Sequence, residues 1–242
     1  MAHDDFAPPR LAMSESETRP FACTLPGQAS VRGYLHLPAN SSLDGLVLTH
    51  GAGANCQSLL LVTLASAFCE SGLTVLRCDL PFRQERPHGP PPRGSAARDQ
   101  QGLRAAIACF RQQVSGRVFL GGHSYGWRQA SILAASEPGL VEGMLLLSYP
   151  LHPPKRPTEL RTAHFPSLRT PALFVHGSRD RFGTIEEMTA ALRLIPARTQ
   201  LLPIRGAGHE LMTKKNATEV SAMIRLAFAD MSAAVATENG KP

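Results

Sequence analysis

An alternation of short apolar runs with longer segments of helical period constrains the fold of this chain more than any other feature of its sequence. The predicted strands are residues 21–25, 31–37, 46–49, 74–78, 117–120, 141–147, 171–175 and 199–203. The predicted helices are residues 57–71, 95–114, 125–136, 184–194 and 211–231. Pro26-Gly27 predicts a hairpin between the first two strands. The repeated strand–helix order after it predicts an α/β fold, with a mostly parallel sheet covered by helices on both faces.

The length of 242 residues fits one large domain. We expect a flexible segment at residues 1–19, the domain over residues 20–232 and a flexible tail at residues 233–242. No apolar run reaches the roughly 18–20 residues that a membrane-spanning helix needs. The N-terminal residues lack the basic and apolar regions of a secretory signal. These features predict a cytoplasmic protein with no membrane partner.

The cysteines are scattered and show no C-x-x-C spacing. They are Cys23, Cys56, Cys69, Cys78 and Cys109. This pattern predicts a reducing compartment without a disulfide framework or a zinc knuckle, and the apolar neighbours of Cys69, Cys78 and Cys109 predict buried thiols. The histidines show no metal-binding spacing, so we expect neither a metal nor a cofactor.

Two proline-rich segments, residues 80–94 and 149–170, follow predicted strands and should lie at the sheet edge where α/β proteins bind ligands. The second is too short and too rich in proline for a helical cap domain, which predicts an open cleft for small or extended substrates. The net charge of +6 is concentrated around residues 77–117 and 150–170. These positive charges either attract an anionic acyl substrate or partner, or form a solvated surface. They include no nucleic-acid motif, and no nucleic-acid partner is expected. The oligomeric state is not predicted.

The segment Gly122-His123-Ser124-Tyr125-Gly126 matches the pattern G-x-S-x-G, with a predicted strand before it and a predicted helix after it. In this setting a tight turn lifts the serine hydroxyl above the sheet as a nucleophile. Gly122 and Gly126 are needed there because a Cβ at either position would clash with neighbouring strands. The alternative is a glycine-rich strand–helix turn with no chemical role.

A serine hydroxyl needs a base that takes its proton, and this layout places the base after the last strand. His209 follows the predicted strand at residues 199–203 and is the candidate base for Ser124. Its alternative is an ordinary residue before the last helix. His123 and His176 are less well placed, because the first should point away from the serine and the second lies at a strand end.

The base needs a carboxylate partner, and Asp180 follows the strand that begins near residue 171. This gives the chain order Ser, Asp, His that the turn geometry requires. The alternatives are that Asp180 is a solvated acid paired with Arg179 or Arg181, or that Asp79 is the partner. A salt bridge or a capping role suits Asp79 better.

Residues 50–55, His-Gly-Ala-Gly-Ala-Asn, follow an early strand and precede a helix. Their small side chains let backbone N–H groups approach a ligand. The N–H of Tyr125, with that of Ala52 or Gly53, is the predicted oxyanion hole. A phosphate-binding loop is the alternative, although the loop lacks the glycine patterns of such sites.

With these four elements in order, residues 20–232 resemble the α/β-hydrolase superfamily. The resemblance implies an α/β-hydrolase fold with an eight-stranded sheet and no large cap domain. It also implies that Ser124, Asp180 and His209 form a catalytic triad acting on a small-molecule acyl substrate. The expected reaction is cleavage of an ester, a thioester or a similar acyl bond through an acyl-enzyme.

The chain is also similar to a small dienelactone-hydrolase-like group that includes a testis-expressed mammalian protein and a subunit of the NSL histone-acetylation complex. The residues that suggest it are Leu80-Pro81-Phe82-Arg83-Gln84, Gly89-Pro90-Pro91-Pro92, Arg98-Asp99-Gln100, Arg128-Gln129-Ala130-Ser131 and Ser148-Tyr149-Pro150-Leu151. Dienelactone hydrolases themselves use cysteine as the nucleophile, so a serine points to ordinary esters, thioesters or peptides.

Trp127, Arg83 and His50 are candidate residues of the substrate pocket. Trp127 stands where the dienelactone-hydrolase-like group tends to have a small residue, and His123 stands where it often has arginine. These departures support one alternative from another class, a weakly active or inactive interaction module on the hydrolase fold.

Overall fold

The computed structural model describes residues 16–239, and its centre is one sheet of eight strands. The strands are β1 (Glu17–Cys23), β2 (Val31–Leu37), β3 (Gly45–Thr49), β4 (Thr74–Cys78), β5 (Val118–His123), β6 (Gly143–Leu147), β7 (Ala172–Gly177) and β8 (Thr199–Ile204). Their order is β1-β2-β4-β3-β5-β6-β7-β8. Strand β2 is antiparallel to both of its neighbours, β1 and β4, and the six strands β3 to β8 are parallel to one another. The predicted α/β fold with a mostly parallel sheet is confirmed.

Helices cover both faces of this sheet. They are α1 (Leu59–Glu70), α2 (Pro81–Glu85), α3 (Ala96–Phe110), α4 (Ser124–Ser136), α5 (Ile185–Leu192) and α6 (Ala217–Asn239). Side chains of α1 and α6 form one apolar core with one face of the sheet, and those of α3, α4 and α5 form a second core with the other face. In the strands, alternate residues enter opposite cores, as Leu46 and Val47 do in β3.

The hairpin between the first two strands is confirmed, with Cys23 opposite Val31 and Gly27 in the left-handed conformation at φ +72°. The helix start predicted at Thr184 is also confirmed. Thr184 Oγ1 accepts the Glu187 N–H at 3.1 Å, and the Glu187 carboxylate accepts the Thr184 N–H at 2.7 Å.

Several boundaries differ from the prediction. Strand β1 begins at Glu17, before the predicted start of the domain, and α2 was not predicted. Helix α6 begins at Ala217 rather than near residue 211 and continues to Asn239, through much of the predicted tail. The late start has a local cause, because Leu211 has φ +61° and the Thr213 N–H donates to Asn216 Oδ1, which holds the chain in a loop. Of the predicted flexible segments, residues 1–15 and 240–242 lie outside the described residues, whereas residues 233–239 belong to α6.

The expectation that no segment could span a membrane needs a correction. By length and composition alone, residues 217–237 of α6 are long and apolar enough to do so. A core helix of a globular protein passes the same test. One face of α6 is buried, and it includes Val220, Ile224, Phe228 and Met231. The Phe228 ring packs 5.1 Å from the rings of both Phe68 and Phe119, so this face of α6 covers the sheet.

The prediction that the chain has no disulfide is wrong. Cys23, at the end of β1, is bonded to Cys109 in α3, 86 positions later in the sequence, with 6.2 Å between their Cα atoms. Cys69 and Cys78 are buried free thiols as predicted. Spacing could not show the pairing, because the fold brings together two positions that are far apart in the chain. Disulfides are typical of oxidising compartments, so the cysteines do not support the cytoplasmic location, which stays a prediction.

Two buried histidines predict a loss of stability in mild acid. Burial, with the charge of Arg77, lowers the pKa of His36 from 6.5 to about 4, and burial with the charge of Arg128 does the same for His164. Below about pH 6.5 the unfolded chain therefore binds protons that the folded chain takes up only near pH 4. We expect the free energy of unfolding to decrease as the pH falls from 6.5 toward 4, by on the order of 2 kcal/mol per histidine.

Urea unfolding at about pH 7.5 and about pH 4.5 measures this loss. In the double variant His36→Gln, His164→Gln the decrease should be smaller than in wild type, whereas His88→Gln, at an exposed histidine, should leave it unchanged. An equal decrease in all three proteins would contradict the prediction.

Candidate active site

Ser124 lies at the tip of a sharp turn between β5 and α4. Its φ of +50° is in the left-handed region, which a non-glycine residue rarely adopts. A Cβ on Gly126 would lie 2.4 Å from the His50 carbonyl oxygen, and one on Gly122 would lie 2.9 Å from the Thr49 carbonyl oxygen. Both obstacles are backbone atoms at the end of β3. The two glycines therefore let the turn pack against that strand, as the sequence predicted.

Ser124, His209 and Asp180 meet at the carboxyl edge of the sheet in one series of hydrogen bonds. The Ser124 hydroxyl donates to His209 Nε2 at 2.7 Å. His209 Nδ1–H donates to Asp180 Oδ2 at 2.8 Å, because an ionised carboxylate only accepts. The carboxylate therefore fixes the imidazole tautomer that leaves Nε2 free to receive the serine proton.

The environment of Asp180 keeps its carboxylate charged. Burial alone would raise the pKa of Asp180, but the hydrogen bond and charge of His209, with the Phe182 N–H that donates to Oδ1 at 2.9 Å, hold it below its usual value. The Asp180 side chain is fully buried and faces His209, not the neighbouring arginines. His176 lies behind it, with Nε2 donating to the Gly183 carbonyl at 2.8 Å and lying 3.9 Å from Asp180 Oδ2.

Two aromatic rings hold His209 in place. The Phe182 ring lies against the imidazole, with 4.3 Å between centroids. On another side, His123 Nε2–H donates to the His209 carbonyl at 2.9 Å. Burial and the neighbouring His209 ring lower the pKa of His123, which keeps this imidazole neutral. His123 is thus not the base. Its side chain holds the backbone of His209 in position.

The loop at residues 50–54 presents unpaired backbone N–H groups beside the turn. A Cβ on Gly51 would lie 3.3 Å from Ser124 Cβ, which shows how closely this loop approaches the serine. Within residues 16–239, the N–H groups of Ala52, Gly53 and Tyr125 have no hydrogen-bond partner. These three are the donors that the sequence predicts for an oxyanion.

Arg83 and His50, predicted to line a substrate pocket, are instead buried, Arg83 against the carbonyl groups of this loop and His50 at its first position. Arg83 is 5% exposed and His50 is fully buried. Arg83 donates to four carbonyl oxygens: Ala54 at 2.7 Å, Ala52 at 2.8 Å, Gly89 at 2.9 Å and Arg86 at 3.0 Å. His50 Nδ1–H donates to the Gly51 carbonyl at 2.8 Å, and its Nε2 accepts the Leu80 N–H at 3.1 Å. Their polar atoms are occupied by backbone, so the pocket prediction is wrong for both.

These contacts orient the candidate oxyanion donors. In a planar trans peptide the carbonyl of one residue and the N–H of the next point in opposite directions. Arg83 holds the Ala52 carbonyl, so the Gly53 N–H points away from the guanidinium. His50 holds the Gly51 carbonyl, so the Ala52 N–H points away from the His50 ring.

Trp127 is also not a pocket residue. It is fully buried in the core formed with α3, α4 and α5, so its role is packing. His123, the other departure from the dienelactone-hydrolase-like group, also has a structural role, because its side chain holds the His209 carbonyl. Asp79 does not contact the candidate base: its Oδ1 accepts the Cys56 N–H at 2.7 Å and lies 3.4 Å from His50 Nε2.

Sequence reasoning missed a second set of supports under the turn. The buried carboxylate of Asp99 in α3 accepts the Tyr125 hydroxyl at 2.7 Å, the Ser95 hydroxyl at 3.0 Å and the Phe82 N–H at 3.1 Å. It ties the residue after Ser124 to α2 and α3. No local pattern marks such a contact.

Within residues 16–239 there is no cluster of three side chains able to hold a metal ion.

Comparison with known proteins agrees with this geometry. A family model described as an alpha/beta hydrolase domain matches residues 43–236, which is most of the chain. The chain belongs to the alpha/beta hydrolase family. The match contains β3 to β8 and with them every residue of the candidate site. The narrower relation of this alpha/beta hydrolase to the testis-expressed protein and the NSL-complex subunit stays a prediction.

Solved structures with the same fold include a dienelactone hydrolase from Anabaena variabilis, at 20% sequence identity and a TM-score of 0.71 over 90% of this chain and 99% of that one. Est1E from Butyrivibrio proteoclasticus matches with a TM-score of 0.71 at 16% identity, over 88% and 99% of the two chains. A serine hydrolase without a lid, from Xanthomonas campestris, matches at 0.68 and 16% identity, over 86% and 92%. In the chain described here, the segment between β6 and β7 contains one short turn of 3-10 helix, Phe165–Ser167, and no cap domain.

Proposed function

We propose that this protein is a serine hydrolase that cleaves an ester, a thioester or a similar acyl bond. The observation that carries the proposal is the hydrogen-bonded series from Asp180 through His209 to Ser124, with a strained serine at its end. A hydroxyl is a weak nucleophile until a neighbouring base accepts its proton, and this series supplies the base and the group that orients it. No cofactor is required for this chemistry.

In the proposed reaction Ser124 Oγ attacks the carbonyl carbon while its proton moves to His209 Nε2. The carbonyl electron pair moves onto oxygen, where the N–H groups of Tyr125 and of Ala52 or Gly53 stabilise the negative charge. The bond to the leaving group then breaks and His209 gives its proton to that group. Water, deprotonated by the same imidazole, attacks the acyl-enzyme and releases the acid and free Ser124.

Labelling with a fluorophosphonate probe tests the proposal, because such a probe phosphonylates only an activated serine. We expect wild type to form one adduct at Ser124 and Ser124→Ala to form none. Ser136→Ala changes an exposed serine in the same helix and should label like wild type.

If wild type is not labelled, or if Ser124→Ala is labelled equally, the hydrolase proposal is wrong and the alternative of an interaction module is favoured. With a labelled wild type, p-nitrophenyl esters of graded chain length, with thioester and peptide controls, identify the preferred acyl group. The buried positions of Trp127, Arg83 and His50 leave the acyl side of the site without a predicted specificity residue.

A further inference from the structure

A cleft of about 770 Å³ opens beside His209, between the loop after β7 and the loop after β8. Its volume lies within the range of roughly 300–1,000 Å³ that is usual for small-molecule sites. The two loops that form it also carry the candidate acid and base. The cleft therefore adjoins the site at His209, whose Nε2 lies 2.7 Å from Ser124 Oγ.

Unpaired positive charge surrounds this cleft. Arg179, Arg181 and Arg205 line it with exposed side chains, and Glu210 is the acidic residue among the lining side chains. None of the three arginines forms an ion pair with another residue in the part of the chain that the structure describes. Elsewhere some exposed arginines have acidic partners, as Arg98 has Glu85 and Arg104 has Glu137, while others, such as Arg193, form no ion pair within residues 16–239. Three cations facing one anion across a cleft favour an anionic ligand.

The inner wall of the cleft is apolar. Leu211 and Met212 are buried, and the Phe182 ring stacks on the His209 imidazole. A ligand that contacts both this wall and the three arginines lining the cleft would combine an apolar body with a carboxylate or a phosphate. Arginine recognises both anions with charge-assisted hydrogen bonds.

The position of the cleft indicates which half of a substrate would occupy it. The imidazole that accepts the serine proton later protonates the leaving group, which must therefore lie next to that ring. We propose that the cleft binds a negatively charged group, a carboxylate or a phosphate, on the leaving group of the ester or thioester. This inference rests on the proposed hydrolase function and specifies the substrate class for it.

The test compares esters that differ only in charge on one side of the bond. The first pair is the acetate esters of 4-hydroxyphenylacetate and of its neutral amide. The second pair carries the charge on the acyl side: phenyl hydrogen adipate and the phenyl ester of adipic acid monoamide. We expect wild type to prefer the charged ester of the first pair by about tenfold in kcat/KM, and to show no such preference in the second. The preference should weaken at high salt, because ions screen charges on exposed arginines.

The triple variant Arg179→Gln, Arg181→Gln, Arg205→Gln should lose the preference, so that its kcat/KM values on the charged and the neutral ester of the first pair become equal. Arg193→Gln, at an exposed arginine outside the cleft, is the matched control and should keep the preference. A preference that persists in the triple variant, or that appears only in the second pair, overturns the inference while Ser124 labelling still supports the hydrolase. If no ester is hydrolysed and Ser124 is not labelled, the function and the inference both fail.

Discussion

Asp180→Asn should lower kcat by about 10⁴-fold while the protein stays folded. The amide keeps an oxygen that can accept the Phe182 N–H, as Oδ1 does now, so the loop retains its main local hydrogen bond. In place of Oδ2 it presents an NH₂ group to His209 Nδ1. A donor there favours the tautomer with the proton on Nε2, and that nitrogen then cannot accept the proton of Ser124. Steady-state ester hydrolysis measures the loss, and circular dichroism confirms folding.

Asp79→Asn is the matched control, since Asp79 is the other acid at a strand end that the sequence offers. Its carboxylate accepts the Cys56 N–H and does not contact His209, so we expect less than about a tenfold change in kcat. A larger effect at Asp79 than at Asp180 would show that the partner of the base has been misassigned.

Arg83→Lys should lower kcat by about 10²-fold with little change in KM. Lysine keeps the positive charge, but its ammonium cannot reproduce the planar fork that now holds carbonyls of two loops. The Ala52–Gly53 peptide would then be free to rotate, and the Gly53 N–H would lose its fixed direction. Stabilisation of an oxyanion acts in the transition state, which is why kcat should fall rather than KM rise.

Arg98→Lys, which keeps an exposed pair with Glu85, is the control for Arg83→Lys and should leave kcat within about twofold of wild type. If the main effect at Arg83 is instead a higher KM for charged esters, Arg83 binds substrate, as the sequence had suggested, and the anchoring role is wrong. Thermal unfolding of each variant separates loss of activity from loss of structure.

The elements of the parallel sheet were predictable because each is short, apolar and bounded by turn residues. Strand β4 matches its prediction at both ends, and the order of Ser124, Asp180 and His209 along the chain was enough to predict that they meet. Helix α6 begins later than its apolar pattern suggests, because Leu211 takes a left-handed conformation that periodicity does not reveal.

Other features depend on contacts between distant segments. An arginine after a strand at the ligand-binding edge suggests substrate binding, but the role of Arg83 is decided by carbonyl groups of Ala52 and Ala54 about 30 residues earlier. The bond between Cys23 and Cys109 joins the edge strand β1 to α3, and three strands, β2, β3 and β4, lie between these two elements along the chain. Such pairings follow from the completed fold and not from local pattern.

The Cys23–Cys109 bond closes residues 24–108 into a covalent ring that contains the loop at residues 50–54 and Arg83. Ser124, Asp180 and His209 all follow the ring in the chain. Cleavage or local opening beyond residue 109 can thus separate these three residues and the Tyr125 N–H from the N–H groups of Ala52 and Gly53, while the ring keeps those two groups tethered to the hairpin of β1 and β2.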